Sequence, residues 1–471
     1  MQLLSNILDT DSYKFSHWKQ YPPETTSMFS YLESRGGRYD KTVFFGLQYY
    51  LQEYLSKKIT RDDVVEAAAF AKLHGEPFNE KGWLYIVDEL DGKLPIKIRA
   101  VTEGAVVPTG NILMSVESTD PKAFWVVSWV ETMLVRLWFP ITVATQAWHI
   151  KKKLKQGLEL TSDDPAGELP FKLHCFGSRG VSSRESAMIG GAAHLVNFMG
   201  SDTVAGVWMA NKHYDHKMAG FSIPAAEHST MTMWEKAGEA MAYANMLEQY
   251  KDQPIFACVS DSYDIHNAVS NIWGGELKKQ VIEYEGTLVV RPDSGDPRSM
   301  VLDVLDRLED AFGSTRNSKG YKVLNHGVRV IQGDGVNEKS IAEIVDAMID
   351  AGYSITNIAF GMGGAGLQRL DRDTQRFAFK CSHAEVGGRS VDVYKDPASD
   401  SGKRSKRGLL ELVQESSGRV RTARRGEKKE SLLEDVFMNG EILRTQSFSD
   451  VRKNSEFVIL ERYKGWIDRP V

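Results

Sequence analysis

The sequence predicts an α/β protein, a (β/α) barrel beside an α+β domain built from both chain ends. Three observations predict it. From Phe171 to about Phe360, short β-rich runs alternate with helix-period segments, and such alternation means parallel pairing with right-handed crossovers. Most of these runs end in a charged or glycine-rich turn. The two flanks lack this rhythm, and the second is strand-like and basic. The expected division is 1–160 for the first part of the α+β domain, 161–372 for the barrel and 373–471 for the part that completes the α+β domain. An open doubly wound sheet is the alternative. In either fold, ligands bind at the carboxyl ends of the strands.

The totals limit the function classes. The chain has 471 residues, 42% hydrophobic and 26% charged, enough for a large core and two domains. A net charge of -5 argues against general nucleic-acid binding, which needs a basic excess. Cys175, Cys258 and Cys381 lie far apart, with neither disulfide nor zinc spacing, which points to a reducing, cytoplasmic setting. The opening Met1-Gln-Leu-Leu-Ser-Asn lacks the basic region and long apolar core of a signal peptide. The run Ala123–Phe139 is apolar but short, and it carries Glu131 and Arg136. It reads as a buried or interface helix, with no membrane span expected.

In chain order, residues 1–40 mix polar and aromatic side chains, among them Asp11, Tyr13, His17 and Trp18, and match neither helix nor strand. Such residues suit an interface or a ligand-lining loop. Residues 43–75 read as helical, and 94–118 as short strands with turns at Glu103-Gly104 and Pro108-Thr109-Gly110. A helix is expected from about Thr142 to Leu158, then a boundary loop at 162–167. Barrel strands are expected at 171–175, 195–198, 221–223, 255–259, 287–290, 328–331 and 358–360. A helix-like run extends from Thr230 to Met246. Two later helices show a clear 3.6-residue face: Met300, Val301, Val304, Leu305 and Leu308 in one, Ile341, Ile344, Val345, Met348 and Ile349 in the other. Beyond the barrel, Lys403-Arg404-Ser405-Lys406-Arg407 and the 419–429 cluster are strongly basic, and Leu409 to Thr422 alternates like a hairpin. This region is expected to rejoin the N-terminal elements.

The strand tips carry the chemistry. They place Phe176 and Arg179, Asp202, Glu227-His228, Ser260 to Asp264, Arg291 to Asp296, Gly333-Asp334, and Gly361-Met-Gly363-Gly364-Ala-Gly366 on one rim. Glycines after a strand let backbone N–H groups approach a phosphate. The last segment matches the dinucleotide spacing GxGxxG, but no strand with a terminal acid comes after it, so a phosphate cradle without a dinucleotide is expected. His213, Asp215 and His216 read as a helix end and not as a metal site. Asp293 and Asp334 suit sugar hydroxyls, Arg179 and Arg291 suit phosphate or carbonyl oxygens, and Phe176 offers a face to a flat heteroaromatic. His228, beside Glu227 and in reach of Asp264, suits a nucleophile toward phosphorus.

Longer segments carry a resemblance. Asp9–Pro22, Phe44–Tyr49, Asn79–Trp83, Phe139–Thr145, Gly200–Gly206, Pro224–Thr230, Ser260–Ile265, Arg291–Gly295, Arg329–Gly335 and Lys395-Asp-Pro397 resemble the nicotinamide phosphoribosyltransferase family, of the type II phosphoribosyltransferase kind. The resemblance runs from about residue 6 to about 455. It implies a homodimer with shared sites, using nicotinamide, phosphoribosyl pyrophosphate and ATP, with Mg²⁺ carried by pyrophosphate and no protein ligand assigned to it. It implies nicotinamide between Phe176 and Tyr13 of the partner subunit, with Asp202 on the amide NH2 and Arg291 on the carbonyl. Asp11, Ser222 and Ser260 complete the substrate-binding set. Ribose would meet Asp293, Gly333 and Asp334, and its phosphate Gly363 and Gly364 with Arg372 of the partner subunit. Pyrophosphate would meet Arg179 and the partner subunit's Arg35, Lys380 and Lys395. His228 would be the residue phosphorylated by ATP, supported by Glu227 and Asp264. The first strand tip departs from the Asp-Phe-Gly-Tyr-Arg-Gly of the family's animal members: here it reads Cys175-Phe-Gly-Ser178-Arg-Gly, so Ser178 removes an aromatic wall. Nicotinate phosphoribosyltransferase, on the same fold, is the nearest rival reading.

Overall fold

The computed structural model describes residues 4–396, 405–428 and 430–456. Pro397, Lys403, Arg404 and Lys429, singled out above, lie outside the described residues. Contacts divide the chain into two compact units. One comprises Met1–Thr145, Ala210–His216 and Asp371–Val471, the other Gln146–Met209 and Lys217–Leu370.

The second unit holds a six-stranded parallel sheet. Its strands are β1 (Leu173–Cys175), β2 (Gly200–Ser201), β3 (Ile255–Val259), β4 (Thr287–Arg291), β5 (Val328–Gln332) and β6 (Ile358–Met362), in the order β2-β1-β6-β5-β4-β3. Two parallel bridges, Gly200 to Phe221 and Ala225 to Ala257, tie the segment 221–225 to both edge strands. The sheet thereby closes on itself through a seventh, barely paired segment. Closure removes the open edges a sheet otherwise exposes.

The intervening helices form where the sequence periodicity placed them. Helix α1 (Pro297–Phe312) starts on Asp296, whose side chain accepts from Ser299 N–H, with Pro297 in the first turn. It buries Val301, Val304, Leu305 and Leu308. Helix α2 (Glu338–Asp350) opens on a reciprocal Asn337–Ser340 cap and buries Ile341, Ile344, Val345 and Met348. These faces pack on the outward side chains of the strands in one continuous core. Among the inward side chains, Ala257, Val289 and Ile331 form an inner cluster with Phe176, Ile223, Ile255 and Ala359 against it, so alanines interrupt the branched residues. A barrel interior is ordinarily filled by large branched residues. Alanines here leave space inside.

The other unit is built from both chain ends. A seven-stranded sheet runs in the order 389–392, 377–386, 25–34, 112–118, 96–100, 434–438, 441–442, so C-terminal strands flank N-terminal ones on both sides. The expected hairpin forms as Leu410–Gln414 against Val420–Arg424. The segment 210–216 joins this unit through Glu103. Its buried carboxylate accepts from Gly46 N–H at 2.9 Å, Gln48 N–H at 2.6 Å and Tyr214 Oη–H at 2.7 Å. Burial raises the Glu103 carboxyl, and those donors oppose the rise.

Several expectations need correction. Residues 195–198 are not a strand: a helix runs through Leu195, and the strand is Gly200–Ser201. A short apolar run cannot be told from a buried helix end by periodicity. Residues 1–40 contain the ten-residue strand Thr25–Ser34, buried along most of its length, because it lies at the middle of the sheet. The run 123–139 is not one helix but Val126–Trp129 and Glu131–Val135, then the long helix Trp138–Thr161. The run 230–246 is two helices, His228–Thr232 and Glu239–Gln249. Residues 41–43 are a strand, and the helical stretch begins only at Leu47. Among the described residues no helix is long and apolar enough to cross a membrane.

Candidate active site

The carboxyl ends of the strands converge on a cavity of about 390 Å³, lined by Phe176, Asp202, Ser222 and Arg291 and by apolar inward residues such as Ala257 and Ala359. Phe176 comes directly after β1, and its N–H donates to Met362 O at 2.9 Å, which fixes it to the end of β6. Its ring lies over Gly361. A Cβ there would collide with three ring atoms, so only glycine leaves the ring its place.

Asp202 comes directly after β2. Its N–H donates to Cys175 O at 3.0 Å, and its exposed carboxylate accepts from Ser222 Oγ–H at 2.5 Å. Arg291 ends β4. One of its Nη atoms is 3.7 Å from Asp293, while its Nε is buried with no hydrogen-bond partner among the described residues. A buried donor without an acceptor is costly, so this guanidinium is poised for an oxygen from outside the protein. Gly333 sits between these groups: a Cβ there would meet Asp293 Oδ1 at 3.3 Å and the Phe176 ring at 3.7 Å. Asp334 beside it is exposed.

His228, 45% exposed, lies between two carboxylates. Its Nε2 is 3.0 Å from Asp261 Oδ1 and its Nδ1 3.9 Å from Asp293 Oδ2. Asp261 is nearly buried, and its second oxygen accepts from Ser294 Oγ–H at 2.6 Å.

Here the structure departs from the expected support. Asp264 accepts from His266 N–H at 2.9 Å and Asn267 N–H at 3.2 Å, capping a short helix. Those backbone donors hold its carboxyl below the usual range. The carboxylate of Glu227 accepts from Ser229 Oγ–H. The hydrogen-bonding carboxylate at His228 is Asp261, which sequence reasoning does not single out. A cap signature, Asp264 directly ahead of a helical turn, is the available signal that its oxygens are already engaged.

Ser260 is corrected as well. It is fully buried, accepts from Trp273 Nε1–H at 3.1 Å and donates to Cys258 O at 3.1 Å, so it braces the rim from behind. Gly363 and Gly364 come after β6 and pack against Gly180, whose added Cβ would meet Gly364 Cα at 3.2 Å. Arg179 stands exposed on the same turn. Nothing within 4 Å would meet a Cβ on Gly364, so that loop face is open.

The remaining predicted residues lie on the other unit, around a second cavity of about 550 Å³ lined by Asp11, Tyr13, Arg35, Arg372, Lys380 and Lys395. Tyr13 is 56% exposed. Asp11 accepts from Thr132 Oγ1–H at 2.7 Å, and Arg35 Nε donates to Glu33 at 2.9 Å. Partial burial lowers Lys380, and Arg35, Lys14 and Arg372 lower it further. Crowded cations of this kind favour a polyanion. His213 and His216 pair with Gln52 and Ser449 in this unit. Among the described residues no group of three or more His, Cys, Asp or Glu is placed to hold a metal ion.

Comparison with known proteins bears on family and fold. Residues 171–441 match the nicotinate phosphoribosyltransferase (NAPRTase) family, and residues 5–98 the nicotinamide phosphoribosyltransferase N-terminal domain. The chain is 53% identical over 466 residues to a nicotinamide phosphoribosyltransferase of Xanthomonas campestris, covering 97% of this chain and 99% of the relative. It is 31% identical to one of Mycoplasma genitalium, covering 86% and 95%. Among solved structures, nicotinate-nucleotide pyrophosphorylase from Pyrococcus furiosus superposes with a TM-score of 0.59 at 16% identity, covering 95% of this chain and 93% of that one. Human nicotinic acid phosphoribosyltransferase superposes with 0.55 at 15%, covering 95% and 92%. At such identities the likeness concerns the fold. With a relative at 53% identity over 97% of this chain and family matches at 5–98 and 171–441, the chain belongs to the nicotinamide phosphoribosyltransferase family.

Proposed function

We propose that the protein converts nicotinamide and 5-phosphoribosyl 1-pyrophosphate to nicotinamide mononucleotide and pyrophosphate, as a cytoplasmic homodimer in NAD salvage. ATP hydrolysis is coupled to the transfer through phosphorylated His228. The observation that carries this reading is the rim itself. An aromatic face, a carboxylate and a guanidinium whose Nε has no hydrogen-bond partner among the described residues line one cavity, and an imidazole between two carboxylates stands beside them.

The pyridine ring stacks on Phe176, with Tyr13 of the partner subunit on its other face. Asp202, fixed by Ser222, accepts from the amide NH2, and Arg291 donates to the amide carbonyl. Asp293, Asp334 and Gly333 hold the ribose hydroxyls, and the N–H groups of Gly363 and Gly364 meet the 5′-phosphate with Arg372 of the partner subunit. As the C1–O bond breaks, C1 gains oxocarbenium character and negative charge moves to the pyrophosphate. Arg179 and the partner subunit's Arg35, Lys380 and Lys395 stabilise that charge, while stacking holds the weak pyridine nitrogen in line. Mg²⁺ arrives as part of the pyrophosphate substrate. Such an ion draws most of its ligands from phosphates and water and needs only one or two carboxylates. The 3.0 Å contact supports Asp261 accepting from Nε2–H of His228, which leaves the Nδ1 lone pair as the nucleophile toward the γ-phosphorus of ATP, with ADP leaving.

Nicotinate is the competing substrate. Like-charge repulsion from Asp202 favours the neutral amide. The test is mononucleotide formation from nicotinamide and from nicotinate, each with and without ATP. Preference for nicotinamide with stimulation by ATP is the expected result. Preference for nicotinate overturns the Asp202 assignment, and absence of product from a folded protein overturns the activity.

A further inference from the structure

His174 lines the same cavity as Asp202, and no step above uses it. It is the middle residue of β1 and its side chain points inward with that of Phe176, two positions on. Its ring is held from two sides. Nε2 lies 3.0 Å from Phe171 O, so this nitrogen carries the proton and donates. On the other side it lies against Gly200, its register partner on β2. A Cβ on Gly200 would stand 2.5 to 2.7 Å from three ring atoms, so any side chain there would push the imidazole away. The ring therefore keeps one place on the cavity wall shared with Asp202 and Ser222.

We propose that His174 is a specificity-determining residue: its imidazole, lining the ligand cavity beside Asp202, sets the preference for a neutral over an anionic substituent on the pyridine. The proposal rests on the reading that the ring substituent binds at Asp202. The physical reason is charge balance. A neutral imidazole leaves the Asp202 charge uncompensated, so an incoming carboxylate is repelled. An imidazolium at the same place would offset that charge and admit the acid.

The groups that face His174 divide in sign. Burial lowers its basicity most, Asp202 and the Phe171 carbonyl raise it, and the buried ammonium of Lys172, directly before the strand, lowers it. Gly200 on β2, Phe221 and Ser222 on the closing segment, and Gly361 on β6 bring no charge, and Arg291 lines the same cavity. The balance falls below the ordinary histidine range, so the neutral form prevails at pH 7 and the charged form grows as pH falls.

The experiment compares kcat/KM for nicotinamide and nicotinate in the unaltered enzyme and in His174→Gln, between about pH 5.5 and 8. The ratio of the two substrates cancels effects on His228, which serves both. The expected result is a ratio that drops about tenfold toward acid in the unaltered enzyme, beyond any drop in His174→Gln. Parallel profiles in the two proteins overturn the proposal. Should His174→Gln not fold, the unaltered enzyme still decides. By reciprocity, nicotinate must raise the titration midpoint of His174, read by NMR of ¹³C-labelled histidine, while nicotinamide must not. Equal midpoints with both ligands overturn it. An enzyme that makes no mononucleotide from nicotinamide defeats the parent reading instead, which keeps the two failures distinct.

Discussion

His228 and Asp261 are joined by a 3.0 Å contact in which the carboxylate is almost wholly buried and the imidazole is open to solvent. The buried partner is itself anchored by Ser294. This is the arrangement of an oriented base: Asp261 fixes one nitrogen, and the other faces Asp293 at 3.9 Å, beyond hydrogen-bond distance.

The first prediction separates two carboxylates on one loop. Asp261→Asn should lower phosphorylation of His228 by ATP about 10²-fold, because the amide no longer fixes the productive tautomer. Asp264→Asn should leave it within about threefold, because that side chain caps a helix and Asn caps as well. Incorporation of label from γ-labelled ATP measures both. The reverse order would return the supporting role to Asp264.

His228→Ala should abolish acid-labile phosphoenzyme and the stimulation by ATP, while slow transfer continues through the cations and the stacking platform. Labelling that persists in this variant would place the nucleophile elsewhere.

Asp202→Ala removes both the amide acceptor and the repulsion of an acid. Nicotinamide use should weaken by about 1–3 kcal/mol in transition-state binding, and the preference over nicotinate should narrow or invert. Unchanged selectivity in the two-substrate assay would refute the role of this carboxylate.

Tyr13 and His228 lie on different units, and the proposed sites draw them from different subunits. Neither Tyr13→Ala nor His228→Ala homodimers should show full ATP-stimulated turnover. Co-expressed and mixed, they should recover about a quarter of it, since half the dimers are hybrids and each hybrid has one intact site. No recovery in dimers verified as mixed by mass spectrometry argues against shared sites.

Acid stability provides a test away from the site. Burial alone would raise the Glu309 carboxyl, but Lys322 at 2.7 Å, Ser314 at 2.6 Å and Tyr353 at 2.6 Å all donate to it and pull it down to about 2. A depressed carboxyl contributes stability that is present above its unfolded value and lost as pH falls through the folded one. That contribution should therefore disappear between about pH 4.5 and 2. Denaturant unfolding of Glu309→Gln should be flatter in that window than unfolding of the unaltered protein. Equal slopes would show that the pair contributes nothing there.

The alternation of strands and helices from 171 to 360 was legible because period-two and period-3.6 patterns are local, and the caps at Asp296 and Asn337 fall where the helix faces begin. The rim residues were legible because strand tips in a parallel barrel share one end. What escaped were elements whose stability is not local. Thr25–Ser34 is a strand because strands from both chain ends pair with it, and no pattern within its own ten residues declares that. The segment 210–216 joins the end-built unit through a carboxylate more than a hundred positions earlier in the chain.

By itself, then, the sequence determined the fold class, the strand tips and the chemical kinds of group gathered there, since these depend on periodicity and on residue type. Only the tertiary structure decided which groups touch. It gave His228 to Asp261 and not to Asp264, spent Ser260 on the core, pressed His174 against a glycine, and left Arg291 Nε without an acceptor among the described residues. The physical reason is that a hydrogen bond is settled within a few tenths of an ångström, whereas neighbours on a loop of the sequence differ by several ångströms once the chain has turned.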